Sequence, residues 1–154
     1  MWVFQILIAY SVINLIAWGI SSAMIFHPPI PSYHSNQGIQ FLHRENEIKI
    51  AIYYRKNPGA KYTLLFSHGN AEDLGNAIGL LDEYHDQGFS AIGYDYQGYG
   101  LSSGTPSEES SYADIHAVYN FLVNEEKVDP KHILLVGRSL GTGPSIELAS
   151  QKFI

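Results

Sequence analysis

One stretch, Ile133-Leu134-Leu135-Val136-Gly137-Arg138-Ser139-Leu140-Gly141, joins an apolar, β-branched run directly to a Gly-x-Ser-x-Gly pentapeptide. The apolar run predicts a buried β-strand, and residues 142–150 after the pentapeptide predict the opening of a helix. A serine in a tight turn between strand and helix is held in a strained backbone conformation, with its hydroxyl above the carboxyl end of the sheet. The stretch therefore predicts Ser139 as a nucleophile.

The residues around Ser139 also fit this turn, which we call the elbow (residues 137–141). Gly137 and Gly141 are expected to lack side chains because a side chain at either place would collide with the neighbouring strand or helix. The backbone N–H of Leu140, at the start of the helix, can point at a developing oxyanion. The pentapeptide alone is a weak signal, so the strand and helix on either side of it carry the prediction.

Composition excludes several other classes of protein. The chain has 154 residues, enough for one ordinary domain or less, and a net charge of −6, which disfavours a nucleic-acid partner. The absence of cysteine excludes disulfides, thiolate metal sites and a cysteine nucleophile. The seven histidines show no paired ligand spacing, so no metal site is predicted. No glycine-rich phosphate-binding motif follows a strand, and we expect no cofactor.

The N-terminal stretch is apolar and uncharged from Trp2 to Phe26. As a helix it would extend over about 37 Å, longer than the ~30 Å hydrocarbon core of a bilayer. Residues 1–26 are therefore predicted to form a single-pass transmembrane anchor, although Gln5 and Asn14 dilute its apolar character. The alternative is a helix buried in a soluble core. No Lys or Arg precedes Arg44, so the orientation in the membrane is not predicted.

The next residues predict a linker followed by an α/β domain. Prolines at 28, 29 and 31 favour an extended linker over residues 27–38, with His27 and His34 solvated. Residues 39–154 predict a partial α/β domain, because strands and helices alternate after an opening strand pair. This order predicts a mostly parallel sheet with helices on both faces. The predicted strands are 39–43, 47–55, 62–66, 89–94 and 132–136, and the predicted helices before the elbow are 71–86 and 107–127.

Several motifs together resemble the α/β-hydrolase superfamily. They are Phe66-Ser67-His68-Gly69-Asn70-Ala71-Glu72-Asp73-Leu74-Gly75, Gly93-Tyr94-Asp95-Tyr96-Gln97-Gly98-Tyr99-Gly100, Pro106-Ser107-Glu108, Tyr112-Ala113-Asp114-Ile115, the elbow and Pro28-Pro29-Ile30-Pro31-Ser32-Tyr33. The chain is most similar to the membrane-associated branch that holds abhydrolase-domain protein depalmitoylases and bud-emergence-type hydrolases. One departure is that the depalmitoylases anchor through N-terminal cysteines, which this chain lacks.

The resemblance implies hydrolysis of an ester, thioester or amide through an acyl-enzyme on Ser139. It also implies that the backbone N–H of Asn70 joins that of Leu140 in the oxyanion hole. In the family's pattern His68 shapes its loop and Asp95 bonds to loop N–H groups, so neither is expected to act as the base. The expected partners are a lipid bilayer and an acylated small-molecule, lipid or protein substrate.

The acid and histidine of the expected triad are not found after Ser139. In this fold they follow the serine, yet the last fifteen residues hold only Glu147, which is expected to point away from any histidine site. The sequence therefore predicts the N-terminal half of a hydrolase, incomplete as a catalyst. The alternatives are a non-catalytic membrane-tethered binding module and a non-functional truncated remnant.

Overall fold

The computed structural model describes residues 2–44 and 47–152, apart from the side chains of residues 18, 20, 22 and 23. Its α-helices are α1 Trp2–Ile25, α2 Leu74–Asp86, α3 Glu108–Asn120 and α4 Thr142–Lys152. Its strands are β1 Ile39–His43, β2 Lys49–Arg55, β3 Thr63–Ser67, β4 Ser90–Tyr94 and β5 Ile133–Gly137. A π-helical turn (Phe121–Glu125) extends α3, and short 3-10 turns cover Pro130–His132 and Ser139–Gly141.

The five strands form one sheet in the order β1-β2-β4-β3-β5. β3 pairs in parallel with both β4 and β5, whereas β2 pairs antiparallel with both β1 and β4. The α/β class is confirmed, but the sheet is mixed and not mostly parallel. The physical reason is that the opening strand pair joins the same sheet by laying β2 antiparallel against β4.

Helices cover both faces of the sheet, as predicted. Along β2, Ile50 and Ile52 face one side while Ala51 and Tyr53 face the other, and all four are buried. The first side packs against α3 and α4 through a core that includes Leu65, Ile92, Tyr94, Ile115, Val118, Leu122 and Leu148. The second side packs against α2 through a core that includes Leu64, Phe66, Leu74, Ala77, Leu81 and Ala91. Burial on both faces explains why β3 and β4 are continuous apolar runs.

The N-terminal helix forms, but its predicted role as a transmembrane anchor is not confirmed. Within the described residues, no helix is both long enough and apolar enough to cross a bilayer. Polar side chains such as Gln5 and Asn14 interrupt the apolar sequence of α1. The alternative prediction, a helix buried in a core, is wrong. The large apolar side chains from Trp2 to Leu15 that the structure describes are about half exposed or more.

The segment after α1, residues 26–33, overlaps the extended linker predicted over residues 27–38, and it is packed against the domain. It contains no helix or strand, but Phe26 and Tyr33 are buried in the two cores of the domain. Between them, the backbone N–H of Ser32 donates to the Asp73 carboxylate over 2.6 Å. This segment is therefore packed onto the domain, and it fixes where α1 leaves it. His27 and His34 are exposed, as expected of solvated residues.

Candidate active site

The elbow has the backbone geometry that a nucleophilic serine requires. β5 ends at Gly137, and Ser139 opens a 3-10 turn that leads directly into α4. Ser139 has a φ of +51°, in the left-handed region that non-glycine residues rarely adopt. Its side chain is exposed at the carboxyl end of the sheet.

Both elbow glycines lie where a side chain has no room. A Cβ atom on Gly137 would lie 2.6 Å from the carbonyl oxygen of Gly141. A Cβ atom on Gly141 would lie 2.1 Å from the carbonyl oxygen of Ser67 and 2.8 Å from that of His68. These neighbours are backbone atoms, which cannot turn aside as a side chain can, so close packing of the elbow on the end of β3 requires glycine at both positions.

The loop after β3, residues 68–73, lies beside the elbow. The last residues of the two strands, Ser67 and Gly137, pair in register, and the Arg138 N–H donates to the Ser67 carbonyl over 3.0 Å. In this loop the backbone N–H of Asn70 donates to no acceptor among the described residues. Leu140 lies in the turn before α4, where backbone N–H groups lack intrahelical acceptors. The structure thus brings together the two predicted oxyanion residues and Ser139 at the carboxyl ends of β3 and β5. Their catalytic roles stay predictions.

The side chain of Asn70 has a second set of contacts, which the sequence did not predict. Its Oδ1 accepts hydrogen bonds from the backbone N–H of His27 at 3.0 Å and from the Tyr99 hydroxyl at 2.7 Å. Its Nδ2 donates to the carbonyl oxygen of Ile25, the last residue of α1. One side chain therefore links the end of the N-terminal helix to the loop that carries the predicted oxyanion donor.

An ion pair joins the loop to the elbow. The Arg138 guanidinium donates to the Glu72 carboxylate, with its Nε 3.0 Å from Oε2, and the same oxygen accepts the Gly69 N–H at 2.8 Å. The guanidinium also lies over the Phe66 ring, 5.5 Å from its centroid. This pair was not predicted from the sequence, although a basic residue in one motif and an acidic residue in the other were the available signal.

His68 and Asp95 are buried structural residues. The Nδ1 atom of His68 lies 2.8 Å from the Gly69 carbonyl oxygen, and Nε2 lies 3.2 Å from Asp95 Oδ1 without hydrogen-bond geometry. Neither nitrogen contacts Ser139. Asp95 accepts hydrogen bonds from the Leu74 N–H at 2.8 Å and from the Tyr33 hydroxyl. Asp95 was predicted to bond to loop N–H groups, and the N–H that it binds is that of Leu74 at the start of α2, while its other oxygen binds Tyr33 of the N-terminal segment.

Buried tyrosines surround this pair and stay neutral. Burial raises the pKa of Tyr96, whose hydroxyl donates to the His68 carbonyl over 2.7 Å. Burial and the nearby Asp95 carboxylate raise the pKa of Tyr33 as well. The hydroxyl of Tyr33 also accepts the Leu101 N–H at 3.0 Å. These neutral hydroxyls extend the hydrogen bonding of the buried site without adding charge.

Ser139 has no base in the part of the chain that the structure describes, where no side chain hydrogen-bonds to its hydroxyl. The prediction for Glu147 was wrong in one respect, because its Oε2 lies 2.9 Å from Nε2 of His116. The reason is that α3 and α4 pack side by side on one face of the sheet. This histidine and carboxylate pair makes no contact with Ser139.

A cavity of about 190 Å³ opens next to the elbow, between the end of α1, the start of α3 and the start of α4. Such a space suits an organic group. Over residues 2–44 and 47–152, no cluster of three or more His, Asp or Glu side chains is placed to hold a metal ion.

The sequence of this chain is similar to those of known hydrolases. Residues 58–152 match the Hydrolase_4 family model, described as serine aminopeptidase, S33. The chain belongs to this α/β-hydrolase family. It is 49% identical over 104 residues to α/β hydrolase domain-containing protein 17C of Xenopus laevis, covering 65% of this chain and 32% of that protein. It is 46% identical over 112 residues to the Homo sapiens protein 17C, covering 70% of this chain and 33% of that protein.

Solved structures show the same fold. An α/β-hydrolase from Vibrio vulnificus matches with a TM-score of 0.64 and 28% identity, over 77% of this chain and 43% of that one. The Pyrococcus furiosus esterase Pf2001 matches with a TM-score of 0.65 and 16% identity, over 82% of this chain and 52% of that one, and shows the fold alone. The chain spans about a third of the length of the curated relatives that it matches.

Proposed function

We propose that this member of the Hydrolase_4 family acts in the hydrolysis of an ester, thioester or amide, with Ser139 as the nucleophile. The observation that carries the proposal is the left-handed backbone of Ser139, whose exposed side chain lies between β5 and α4. This conformation is strained, and strain of this kind is kept where the surrounding structure enforces it, often at active sites.

In the proposed reaction the Ser139 oxygen attacks the acyl carbon and loses its proton to a base. The bond to the leaving group breaks, the leaving group takes a proton, and an acyl-enzyme remains. Water then attacks the acyl carbon, and the carboxylic acid leaves as Ser139 regains its proton. The N–H groups of Asn70 and Leu140 would stabilise the oxyanion in both steps, each by ~3 kcal/mol.

The base in this scheme is proposed to come from polypeptide outside residues 1–154. The support is that the described residues offer no base to Ser139, and that the curated relatives are longer than this chain. Without a base the oxyanion hole leaves only a small residual rate enhancement. The non-catalytic binding module is the competing proposal, and it predicts an unreactive serine.

We propose further that α1 associates with a lipid bilayer. Its exposed apolar side chains and its lack of charge support the proposal, because water solvates such a surface poorly. Ile13→Lys places a charge on the apolar surface of α1 and should release the protein from vesicles. Ile30→Lys changes a residue that is also exposed but lies outside α1, and it should not release the protein. Equal vesicle binding by both variants would contradict the proposal.

A fluorophosphonate probe tests the proposed nucleophile. The chain is exposed to the probe both after purification and in extracts of its own cells, where other polypeptides are present. Labelling should be lost in Ser139→Ala and kept in Ser150→Ala, an exposed serine on α4. Labelling that survives in Ser139→Ala would remove Ser139 from the mechanism. A folded chain that stays unlabelled in both settings would favour the binding module.

A further inference from the structure

We infer that the outer edge of β1 binds an extended peptide with a basic side chain, which adds to the sheet as a further strand. Among the described strands, β1 lies at the end of the sheet and pairs with β2 alone. A cavity of about 460 Å³ opens between β1 and the end of α3. Its volume is typical of clefts that hold a ligand.

The hydrogen bonding of β1 leaves alternate backbone groups free. The Arg44 N–H donates to the Ile48 carbonyl over 2.8 Å, and in an antiparallel ladder such pairs alternate with pairs that share no hydrogen bond. On the other side of β2, the Asp95 N–H donates to the Ala51 carbonyl over 3.0 Å, as this alternation requires. The residues of β1 that direct their N–H and carbonyl groups outward are therefore Ile39, Phe41 and His43. No described residue bonds to these outward groups.

The outer edge of β1 lacks two features with which proteins protect such edges. Residues 39–43 contain no lysine and no proline. A strand edge with free N–H and carbonyl groups is a template for another extended chain. When a peptide binds in this way, the backbone hydrogen bonds provide affinity and the neighbouring pockets select its side chains.

The cavity beside this edge is lined by half-buried apolar residues and by exposed polar residues. The apolar residues include Leu42, Ala117 and Phe121. The polar residues at the end of α3 and in the π-helical turn after it are Asn120, Asn124 and Glu125. Their side chains bond to no described residue. The lining can therefore offer hydrogen bonds and one charge to the side chains of a bound peptide.

The charge at the cavity favours a basic peptide over a second copy of this chain. Glu125 has no ion-pair partner among the described residues, and lysine or arginine is the side chain that would pair with it. Residues 39–44 of a second copy would bring only Arg44. That guanidinium is already taken, because its Nη1 lies 2.8 Å from Oδ1 of Asp114.

Antiparallel pairing fixes which groups of the peptide meet β1. It is the more stable pairing per residue, and β1 already pairs in this way with β2. Residues directly opposite each other in such a pair have their side chains on the same face. Leu42 packs on the face that α3 covers. The peptide residue opposite Leu42 therefore directs its side chain toward the cavity and its N–H away from β1, whereas its two neighbours bond to Phe41 and His43.

Hydrogen exchange tests the pairing. The probe is the acetylated and amidated pentapeptide threonine-valine-lysine-valine-threonine, added to the whole chain held in solution with an amphipol. At a peptide concentration about tenfold above the dissociation constant, NMR should show exchange about tenfold slower at the Phe41 and His43 amides. Exchange at Gln40 and Leu42, whose N–H groups already bond to β2, should not change. Unchanged exchange at Phe41 and His43 would overturn the inference.

Two methylated peptides test the register. N-methylation of both valines removes the N–H groups that face β1, and it should abolish the slower exchange. N-methylation of the lysine alters an N–H that points away from β1, and binding should persist. Equal effects of the two modifications would contradict the antiparallel addition of a strand.

A matched pair of variants tests the choice of a basic side chain. Glu125→Gln should raise the dissociation constant of the peptide by about two- to fivefold, the effect of an exposed ion pair. Glu109→Gln, an exposed residue at the other end of α3, should leave it unchanged. With norleucine in place of the peptide's lysine, the two variants should bind equally. Equal binding of the lysine peptide by both variants would remove Glu125 from the site.

Two further results separate this inference from its alternatives. Exchange at Phe41 and His43 that slows with protein concentration in the absence of peptide would show that a second copy occupies the edge, and it would overturn the inference. The inference does not rest on the proposed function, because β1 and β5 lie at opposite edges of the sheet, about 19 Å apart. Ser139→Ala should therefore bind the peptide as the unchanged chain does.

Discussion

The two loops at the carboxyl end of the sheet differ in what their site residues contact. In the loop of residues 68–73, the side chains of Asn70, Glu72 and Asp73 all bond to other parts of the molecule. At the elbow, the backbone of Ser139 is held by neighbouring groups, among them the Thr142 hydroxyl that donates to its carbonyl oxygen, but the exposed side chain of Ser139 lacks any partner among the described residues. The contrast shows that side-chain contacts to distant elements fix the loop that holds Asn70, whereas the Ser139 hydroxyl, our proposed nucleophile, is left exposed.

The largest effect that would break this arrangement is expected at Gly141. Gly141→Ala places a Cβ against two backbone carbonyls, so the elbow and the end of β3 must separate. Such overpacking should lower the free energy of unfolding by about 3 kcal/mol. Gly143→Ala, two residues further on in open space, should be neutral or slightly stabilising, because alanine is the better helix former. Urea denaturation of both variants makes the comparison, and equal losses would contradict it.

Tyr33→Phe should loosen the buried network behind the loop. It leaves an Asp95 oxygen and the Leu101 N–H without a partner, so we expect a loss of about 1–3 kcal/mol in the free energy of unfolding. Chemical denaturation at neutral pH measures this loss. Tyr10→Phe, on the exposed part of α1, is the matched control and should lose far less.

Alkaline pH probes the same hydroxyl in the unchanged chain. The folded pKa of Tyr33 is raised above its ordinary value of 10.0, so the unfolded state releases this proton first as pH rises. The stability from Tyr33 is therefore complete below pH 10 and is lost as pH rises above it. Denaturation midpoints at successive pH values should fall above pH 10, and less steeply in Tyr33→Phe. An identical slope in the two proteins would show that Tyr33 takes no part.

At Ser139 we expect a substitution to raise the stability and not to lower it. Ser139→Gly removes the side chain that disfavours a positive φ, and it should raise the free energy of unfolding by about 0.5–1 kcal/mol. Ser139→Ala keeps a Cβ and should not gain this stability. Thermal denaturation of both variants separates backbone strain from loss of the hydroxyl; a gain in both would mean that the strain is not the cause.

The smallest change is expected from Glu72→Gln. The pair with Arg138 is partly exposed, so its loss should lower the free energy of unfolding by less than about 1 kcal/mol. Amide hydrogen exchange should nevertheless be faster at Gly69, whose N–H bonds to Glu72. Glu83→Gln on the far end of α2 provides the control, with no expected change in exchange at Gly69.

The sequence predicted those parts of the fold that depend on local patterns. The bounds of β1 were predicted as observed, and those of the other strands to within two residues, because apolar runs and turn residues mark them. The elbow followed from Gly137, Ser139 and Gly141, since each of these positions has a local steric requirement.

What the sequence did not predict depends on partners distant in the chain. The pairing of β2 with β4, the Glu72 contact to Arg138 and the His116 contact to Glu147 all join separate elements. The burial of Phe26 and Tyr33 could not be predicted from the prolines between them. Prolines favour an extended backbone whether it is free or packed.

The Asn70 side chain holds the end of α1 through backbone atoms only, namely the Ile25 carbonyl and the His27 N–H. Any amino acid at position 25 could supply the carbonyl, and any except proline at position 27 could supply the N–H. These two hydrogen bonds therefore do not depend on the side chains of residues 25 and 27. Between these residues, the buried side chain of Phe26 must fit a defined space. The sequence of α1 can consequently change without loss of these two hydrogen bonds, so the loop that holds Asn70 can keep its shape.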